Sequence, residues 1–172
     1  KTKSPMLVTA EMVRKADPNA KTVFIGPCLA KKGEAKRSGI DLIDAVLTFE
    51  ELAAILVAAE INLAECKPVE EKIVGGIPSA RGINFARSGG VMRAVTGDDQ
   101  GAKVKSISAS GIKECLELLT KVSKGIEAYD FVEGMGCEGG CIGGPGTLVN
   151  TKVAARALRK TTENKGEDQF AS

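Results

Sequence analysis

Apolar and polar positions divide the chain into short apolar runs that alternate with amphipathic stretches. Met6 to Lys15 reads as a helix, and Val23-Phe24-Ile25 reads as a strand stopped by the breaker Gly26-Pro27. Cys28 therefore falls just past a strand end. From Thr48 the segment TFEELAAILVAAE opens with a capping box, Thr48 with Glu51, and carries Leu52, Ile55, Leu56 and Ala59 on one face. Residues 70–84 hold Gly75, Gly76, Pro78 and Gly82 and read as loop. Ser88, ahead of Gly89-Gly90-Val91-Met92, reads as the cap of a glycine-rich helix start, whose N–H groups would be aimed at some acceptor.

Farther on, Lys103 to Ser108 alternates Val104, Ser106 and Ser108 with Lys103, Lys105 and Ile107, the pattern of a strand. Ser110 reads as the cap of a helix with Leu116, Leu119 and Val122 on one side, stopped by Gly125. Ala128 to Glu133, with Tyr129, Phe131 and Val132, reads as another strand, and it runs into Met135, Cys137, Cys141 and five glycines from Gly134 to Gly143. Thr151 is the expected cap of a last helix reaching Lys160. Strands alternating with helices predict an α/β fold with a mostly parallel sheet. Such sheets bind ligands beyond the carboxyl ends of their strands, so Cys28 and the Cys137/Cys141 pair are expected to face one crevice.

Composition narrows the chemistry. The 172 residues are 43% hydrophobic and 27% charged, and no apolar run approaches the roughly 20 residues that span a bilayer. A net charge of +2 and 3% aromatic residues give no footing for nucleic-acid binding by basic patches and stacking platforms. There is no histidine, which excludes Ser-His-Asp and Cys-His nucleophiles, HExxH proteases and imidazole metal sites. Any metal must then be held by thiolates, carboxylates or a ligand from elsewhere. The five cysteines are an odd number and no secretory signal opens the chain, which argues against a disulfide framework and for a reducing cytoplasm. Starting at Lys1 rather than Met, the chain reads as a piece of a longer one.

Cys137-Glu-Gly-Gly-Cys141 is a C-x3-C pair. Two glycines between the thiols let the backbone curl and turn N–H groups toward an anionic centre, and the spacing suits iron-sulfur ligation better than the C-x2-C pairs of zinc ribbons. The bland alternative is a glycine-rich turn with two ordinary thiols. Lys31 lies three positions after Cys28, so a helical turn there would put an ammonium on the face of the thiol. Without it, Lys31 and Lys32 are solvated charges. Cys66 and Cys115 are open as a fourth ligand or as small apolar side chains.

The segments FIGPCLAKKGE (24–34), FARSGGVMRAV (85–95) and YDFVEGMGCEGGCIGGPG (129–146), in that order, resemble the C-terminal part of the catalytic domain of [FeFe]-hydrogenases. The resemblance implies one lobe, with a twisted and mostly parallel sheet flanked by helices, of a two-lobed fold that grips the H-cluster. That cluster is a [4Fe-4S] cubane joined through a cysteine sulfur to a two-iron subsite. The lobe is expected over residues 1–160, with a flexible tail at 161–172. By the same resemblance Cys28, Cys137 and Cys141 correspond to cubane ligands, Cys141 bridging to the diiron unit. Lys31 corresponds to the lysine that hydrogen-bonds a cyanide of the subsite, and Met135 to the methionine beside the cluster. Glu34 and Glu133 match recurring acidic positions of the motifs.

The full family member is expected to interconvert protons, electrons and H2, or to sense H2. Its implied partners are a ferredoxin-like redox protein or a fused iron-sulfur domain, and the upstream lobe of the same protein. Three features depart from the family. Its upstream motif of adjacent cysteines has no counterpart before Lys1, leaving three of four cubane ligands, so the isolated chain is expected to be inactive and to lack the cluster. Gly26 replaces a methionine of fast members, as in the sensory branch. Gly143-Gly144-Pro145 replaces a run of three glycines. The alternative reading is a [4Fe-4S] electron-transfer or scaffold module.

Overall fold

The computed structural model of the chain describes residues 3–37, 41–68, 74–76, 78–97 and 104–163. They form two compact units: the described residues of 1–77 with Pro145–Leu148, and the described residues of 78–144 and 149–163. Both are α/β, and each is built around a two-stranded parallel sheet.

In the first unit α1 (Pro5–Ala16) starts with Ser4, whose hydroxyl accepts from the Leu7 N–H, and with Pro5 in its first turn, where a missing N–H costs nothing. Strand β1 (Val23–Ile25) pairs in register with β2 (Ala45–Leu47), a strand the apolar pattern did not reveal. Helix α2 (Leu29–Arg37) follows β1 directly. Helix α3 (Phe49–Ala58) opens with the expected capping box: Glu51 N–H donates to Thr48 Oγ1, and Thr48 N–H donates to the Glu51 carboxylate. Asp44 joins α1 to the sheet, accepting from Thr22 N–H at 2.7 Å and from the Arg14 guanidinium at 2.9 Å.

The second unit contains α4 (Ala80–Asn84), a short helix inside the expected 70–84 loop, capped by Ser79. Residues 70–73 of that loop lie outside the described residues. Helix α5 is Gly90–Thr96, strand β3 Ser106–Ser110, α6 Ile112–Ser123, β4 Phe131–Met135 and α7 Thr151–Glu163. β3 and β4 run parallel with Ser106 opposite Phe131 and Ser110 opposite Met135. This ladder corrects both expected strand spans. Asp130 and Lys105 clamp the ladder's start, with the Asp130 N–H donating to the Lys105 carbonyl and the Lys105 N–H to the Asp130 carboxylate. Lys103 lies outside the described residues. Helix α7 runs three residues past 160, and residues 164–172 are not described.

Among the described residues the buried apolar set is Met6, Ala10, Ala109 and Leu118, and no large side chain is fully buried. Val23 and Ile25 of β1 remain 49% and 43% exposed. A two-stranded sheet has few neighbours to cover its faces, and these faces stay open.

Candidate functional site

In each unit the candidate residues stand where the sheet hands over to a turn. In the first unit the chain leaves β1 through buried Gly26 and enters α2 at Leu29, so half-buried Cys28 sits immediately before the helix. A Cβ at Gly26 would lie 2.8 Å from the ring of Phe24, so any side chain there requires that ring to move. The expected helical turn after Cys28 is present. The Lys31 ammonium is hydrogen-bonded to Glu34, and Lys32 bonds the Val46 carbonyl and Glu51. Partial burial would raise the Glu34 carboxyl, but hydrogen bonds from Lys31 and Ser4 and the charges of Lys31 and Arg37 outweigh it and hold the group below its usual range. Segment Pro145–Leu148 belongs to this unit, where Gly146 N–H donates to the Pro27 carbonyl and a Cβ on Gly146 would strike Thr48 at 2.7 Å.

In the second unit β4 ends at Met135 and delivers Cys137 into a compact loop. Gly140 N–H donates to Cys137 O and Gly144 N–H to Cys141 O, so each cysteine opens its own hydrogen-bonded turn. Gly139 and Gly140 have φ of 82° and 89°, values that glycine adopts without penalty. A Cβ on Gly140 would sit 2.6 Å from Ser88 N and 2.8 Å from Ala86 O, and one on Gly143 would sit 2.1 Å from Glu138 O. Only glycine allows that approach. Cys137 is half-buried and Cys141 exposed.

What surrounds this loop corrects three expected helix caps. Ser88 does not cap α5: its N–H donates to Gly139 O, its Oγ is buried without a partner, and Gly89 takes the cap position in the left-handed region at φ 78°. Ser110 does not cap α6, because its hydroxyl accepts from Gly139 N–H at 2.9 Å while Gly111 takes the cap position. Thr151 is the first residue of α7 rather than its cap; Asn150 accepts from Lys152 N–H, and Thr151 packs against Gly139 and Gly143. All three diverted residues hold the cysteine loop.

The acceptor that the α5 N-terminus lacked in sequence is Glu133. Its side chain, in a residue only 5% exposed, accepts from Gly89 N–H at 2.5 Å, Met92 N–H at 2.7 Å and Ser108 Oγ at 3.0 Å. A carboxylate at a helix start satisfies orphan N–H groups and complements the helix dipole. The lone signal for this in sequence was the unpaired glycine-rich helix start. Met135 is half-buried on β4, its carbonyl accepting from Gly111 N–H and from the Cys115 thiol at 3.4 Å. Cys115 also donates to Ala109 O, and exposed Cys66 donates to Asn62 O.

Taken together, Cys28 and Lys31 stand in the first unit and Met135, Cys137 and Cys141 in the second. Among the described residues no three His, Cys, Asp or Glu side chains form a ready metal-binding group. The donor chemistry nevertheless fits iron-sulfur ligation: soft thiols, two of them on one glycine-built loop whose approach to Ala86 and Ser88 leaves no space for a Cβ.

The sequence profile described as "Iron only hydrogenase large subunit, C-terminal domain" matches residues 1–145. The chain belongs to this family. It is 30% identical over 188 aligned positions to the periplasmic [Fe] hydrogenase large subunit of Nitratidesulfovibrio vulgaris, covering 89% of this chain and 45% of that protein. To iron hydrogenase 1 of Clostridium pasteurianum it is 32% identical, covering 76% of this chain and 29% of the relative. It thus spans less than half the length of these curated relatives.

Among solved structures, one of an [FeFe]-hydrogenase studied for oxygen inactivation of its H-cluster aligns with TM-score 0.65 and 26% identity, over 93% of this chain and 57% of that one. A Glu-to-Gln variant of the Chlamydomonas reinhardtii [FeFe]-hydrogenase aligns with TM-score 0.64 and 26% identity, over 93% and 58%. The α/β class with parallel pairing and the hydrogenase family are therefore as the sequence led one to expect; the sheet is two separate strand pairs. No helix among the described residues is long and apolar enough to cross a membrane. The Nitratidesulfovibrio relative is described as periplasmic.

Proposed function

We propose that this chain supplies the C-terminal share of an H-cluster site, with Cys28, Cys137 and Cys141 as thiolate ligands to iron. The observation that carries the reading is the Cys137–Cys141 loop, pressed so closely on residues 86–88 that Gly140 admits no side chain. When bound, the cluster would supply the redox chemistry that interconverts protons and electrons with H2, or registers H2. The residues of this chain hold and tune it. Thiolates at Cys28, Cys137 and Cys141 anchor the iron, Met135 lends an apolar thioether, and the Lys31 ammonium offers a donor to an anionic ligand. Lys31 is bonded to Glu34, so Glu34 sets the direction in which that donor is available. Gly26, in place of the methionine of fast members, supports sensing over fast turnover.

Three cysteines fall short of the four that a cubane uses. The reading therefore assigns the fourth thiolate to polypeptide upstream in the complete protein and predicts no H2 turnover by this chain alone. The electron-transfer or scaffold alternative needs Cys66 or Cys115 as that ligand. Cys115 donates to two carbonyls at the strand ends, which supports a packing role instead. The redox partner of the complete protein is proposed to be a ferredoxin-like protein or a fused iron-sulfur domain, and five cysteines, none of them in a disulfide, support a reducing compartment such as the cytoplasm.

The test is iron and acid-labile sulfide per chain, with EPR, after anaerobic reconstitution of this chain and of a form extended upstream. Cluster in the extended form alone, abolished by Cys137→Ala, is the expected result. A full cluster in the short form that is lost on Cys66→Ala or Cys115→Ala would overturn it in favour of the scaffold reading.

A further inference from the structure

Helix α7 rises directly off the cysteine loop. Thr151, its first residue, has its methyl 2.7 Å from where a Cβ on Gly139 would stand and its hydroxyl 3.2 Å from one on Gly143. Ala154, Ala155, Leu158 and Thr162 form a half-buried face. The opposite face carries Lys152, Arg156, Arg159 and Lys160 with one carboxylate, Glu163, and all five are exposed. Their spacing of three and four residues sets them in a single stripe. Four cations against one carboxylate give α7 a net charge of +3, in a chain whose total is +2.

Local rules oppose this arrangement. Lys152 with Arg156, and Arg156 with Lys160, are like-charge pairs four residues apart, and Lys152 stands in the first turn, where the helix dipole favours a carboxylate. Arg159 is compensated by Glu163 at 3.8 Å. Among the described residues Lys152, Arg156 and Lys160 form no ion pair. Cations that cost the helix stability and gain no partner within the chain are accounted for by an anionic surface outside it. Val153, 58% exposed beside the stripe, adds apolar contact to the charge.

We propose that the exposed face of α7 is the docking surface for an acidic electron-carrier protein. From Lys152 to Lys160 the stripe runs about 12 Å along the helix axis, and it begins one residue from the contact with the cysteine loop, so a carrier seated on it lies beside that loop. Complementary charge of this kind steers a partner to one face and fixes its register. That the partner carries electrons rests on the reading of Cys137 and Cys141 as iron ligands, whereas the docking itself requires no iron.

Calorimetric titration of the whole chain with an acidic [4Fe-4S] ferredoxin, at low ionic strength, tests the surface. Saturable binding that weakens steeply with added salt is expected. An Arg156→Gln, Lys160→Gln double variant with unchanged circular dichroism is expected to bind about tenfold more weakly or worse, and Lys113→Gln on α6 to bind as the native chain does. Glu163→Gln is expected to bind more tightly, because it frees Arg159 and removes the one like charge on the face. No saturable binding, an affinity indifferent to the double variant, or binding to phosphatidylserine vesicles in place of ferredoxin would overturn the surface. Iron and sulfide in the form extended upstream report separately on the ligands. Ferredoxin bound through α7 with no cluster in that form would overturn the electron-carrier assignment, and a cluster without ferredoxin binding would overturn the docking surface alone.

Discussion

The carboxylate of Glu133 accepts the backbone N–H of Met92 at 2.7 Å, joining β4 to the first turn of α5 across 41 residues of chain. Gly89 N–H and the Ser108 hydroxyl complete its coordination. The same 86–92 segment accepts from Ile142 through Ala86 O and donates to Gly139 O through Ser88. Glu133 is thus a positioning residue that fixes the floor on which the cysteine loop rests.

Replacing Glu133 by Ala strands two N–H groups and a hydroxyl inside the second unit. A loss of about 3 kcal/mol in folding stability is expected, with Glu133→Gln milder because an amide oxygen still accepts. Urea denaturation followed by circular dichroism measures both, and equal losses in the two variants would contradict the hydrogen-bonding account.

Gly140 tolerates no side chain. An Ala Cβ at this φ of 89° meets Ser88 N, Arg87 C and Ala86 O, all backbone atoms that cannot swing aside. Gly140→Ala is expected to cost roughly 2–4 kcal/mol and to open the loop to proteolysis, whereas Gly136→Ala, with no atom near its Cβ, leaves the digestion pattern unchanged.

Acid should weaken the first unit through Asp44. The Thr22 backbone N–H, the hydrogen bond from Lys21 and the charges of Lys21 and Arg14 bring its carboxyl down from 3.8 to about 2, outweighing the opposing effect of desolvation. A carboxyl depressed on folding contributes stability that is fully present above its ordinary range and is lost as pH falls toward the folded value. Stability of the native chain is therefore expected to drop between pH 3.8 and about 2. Asp44→Asn should be less stable at neutral pH and flatter across that interval in an acid titration followed by fluorescence of an attached dye.

Thiol reactivity should follow exposure. Cys66 and Cys141 are exposed, whereas Cys115 is half-buried beneath Gly134 with its S–H directed at Ala109 and Met135 carbonyls. Mass spectrometry after brief alkylation is expected to find Cys66 and Cys141 modified first and Cys115 last.

How much of this was legible in the sequence depended on the range of the interaction. The Thr48–Glu51 capping box closes within four residues, and it stands as read. Ser88, Ser110 and Thr151 satisfy the same local rule and still cap nothing, because partners in the Gly139–Gly143 stretch, outside the local window, claim them. Strand β2 is not legible locally, since three residues in a continuously apolar run show no period, and its pairing with β1 is a tertiary fact. The cysteines and Lys31 could be named from motif spacing. Glu133 is legible as a recurring acid of the motif but its role is not, for nothing local says that a helix start 41 residues earlier needs a side-chain acceptor.

The open faces of the β1–β2 pair carry a calorimetric signature. Heat capacity rises on unfolding in proportion to the apolar surface newly met by water, and surface that is already wet, such as Val23 and Ile25, contributes nothing to that rise. The chain by itself should melt with a small heat-capacity step and a broad, weakly curved stability profile. Docked into a longer large subunit that covers those strands, the same residues should sharpen the melt and enlarge the step, so a calorimeter can report assembly without reference to iron or hydrogen.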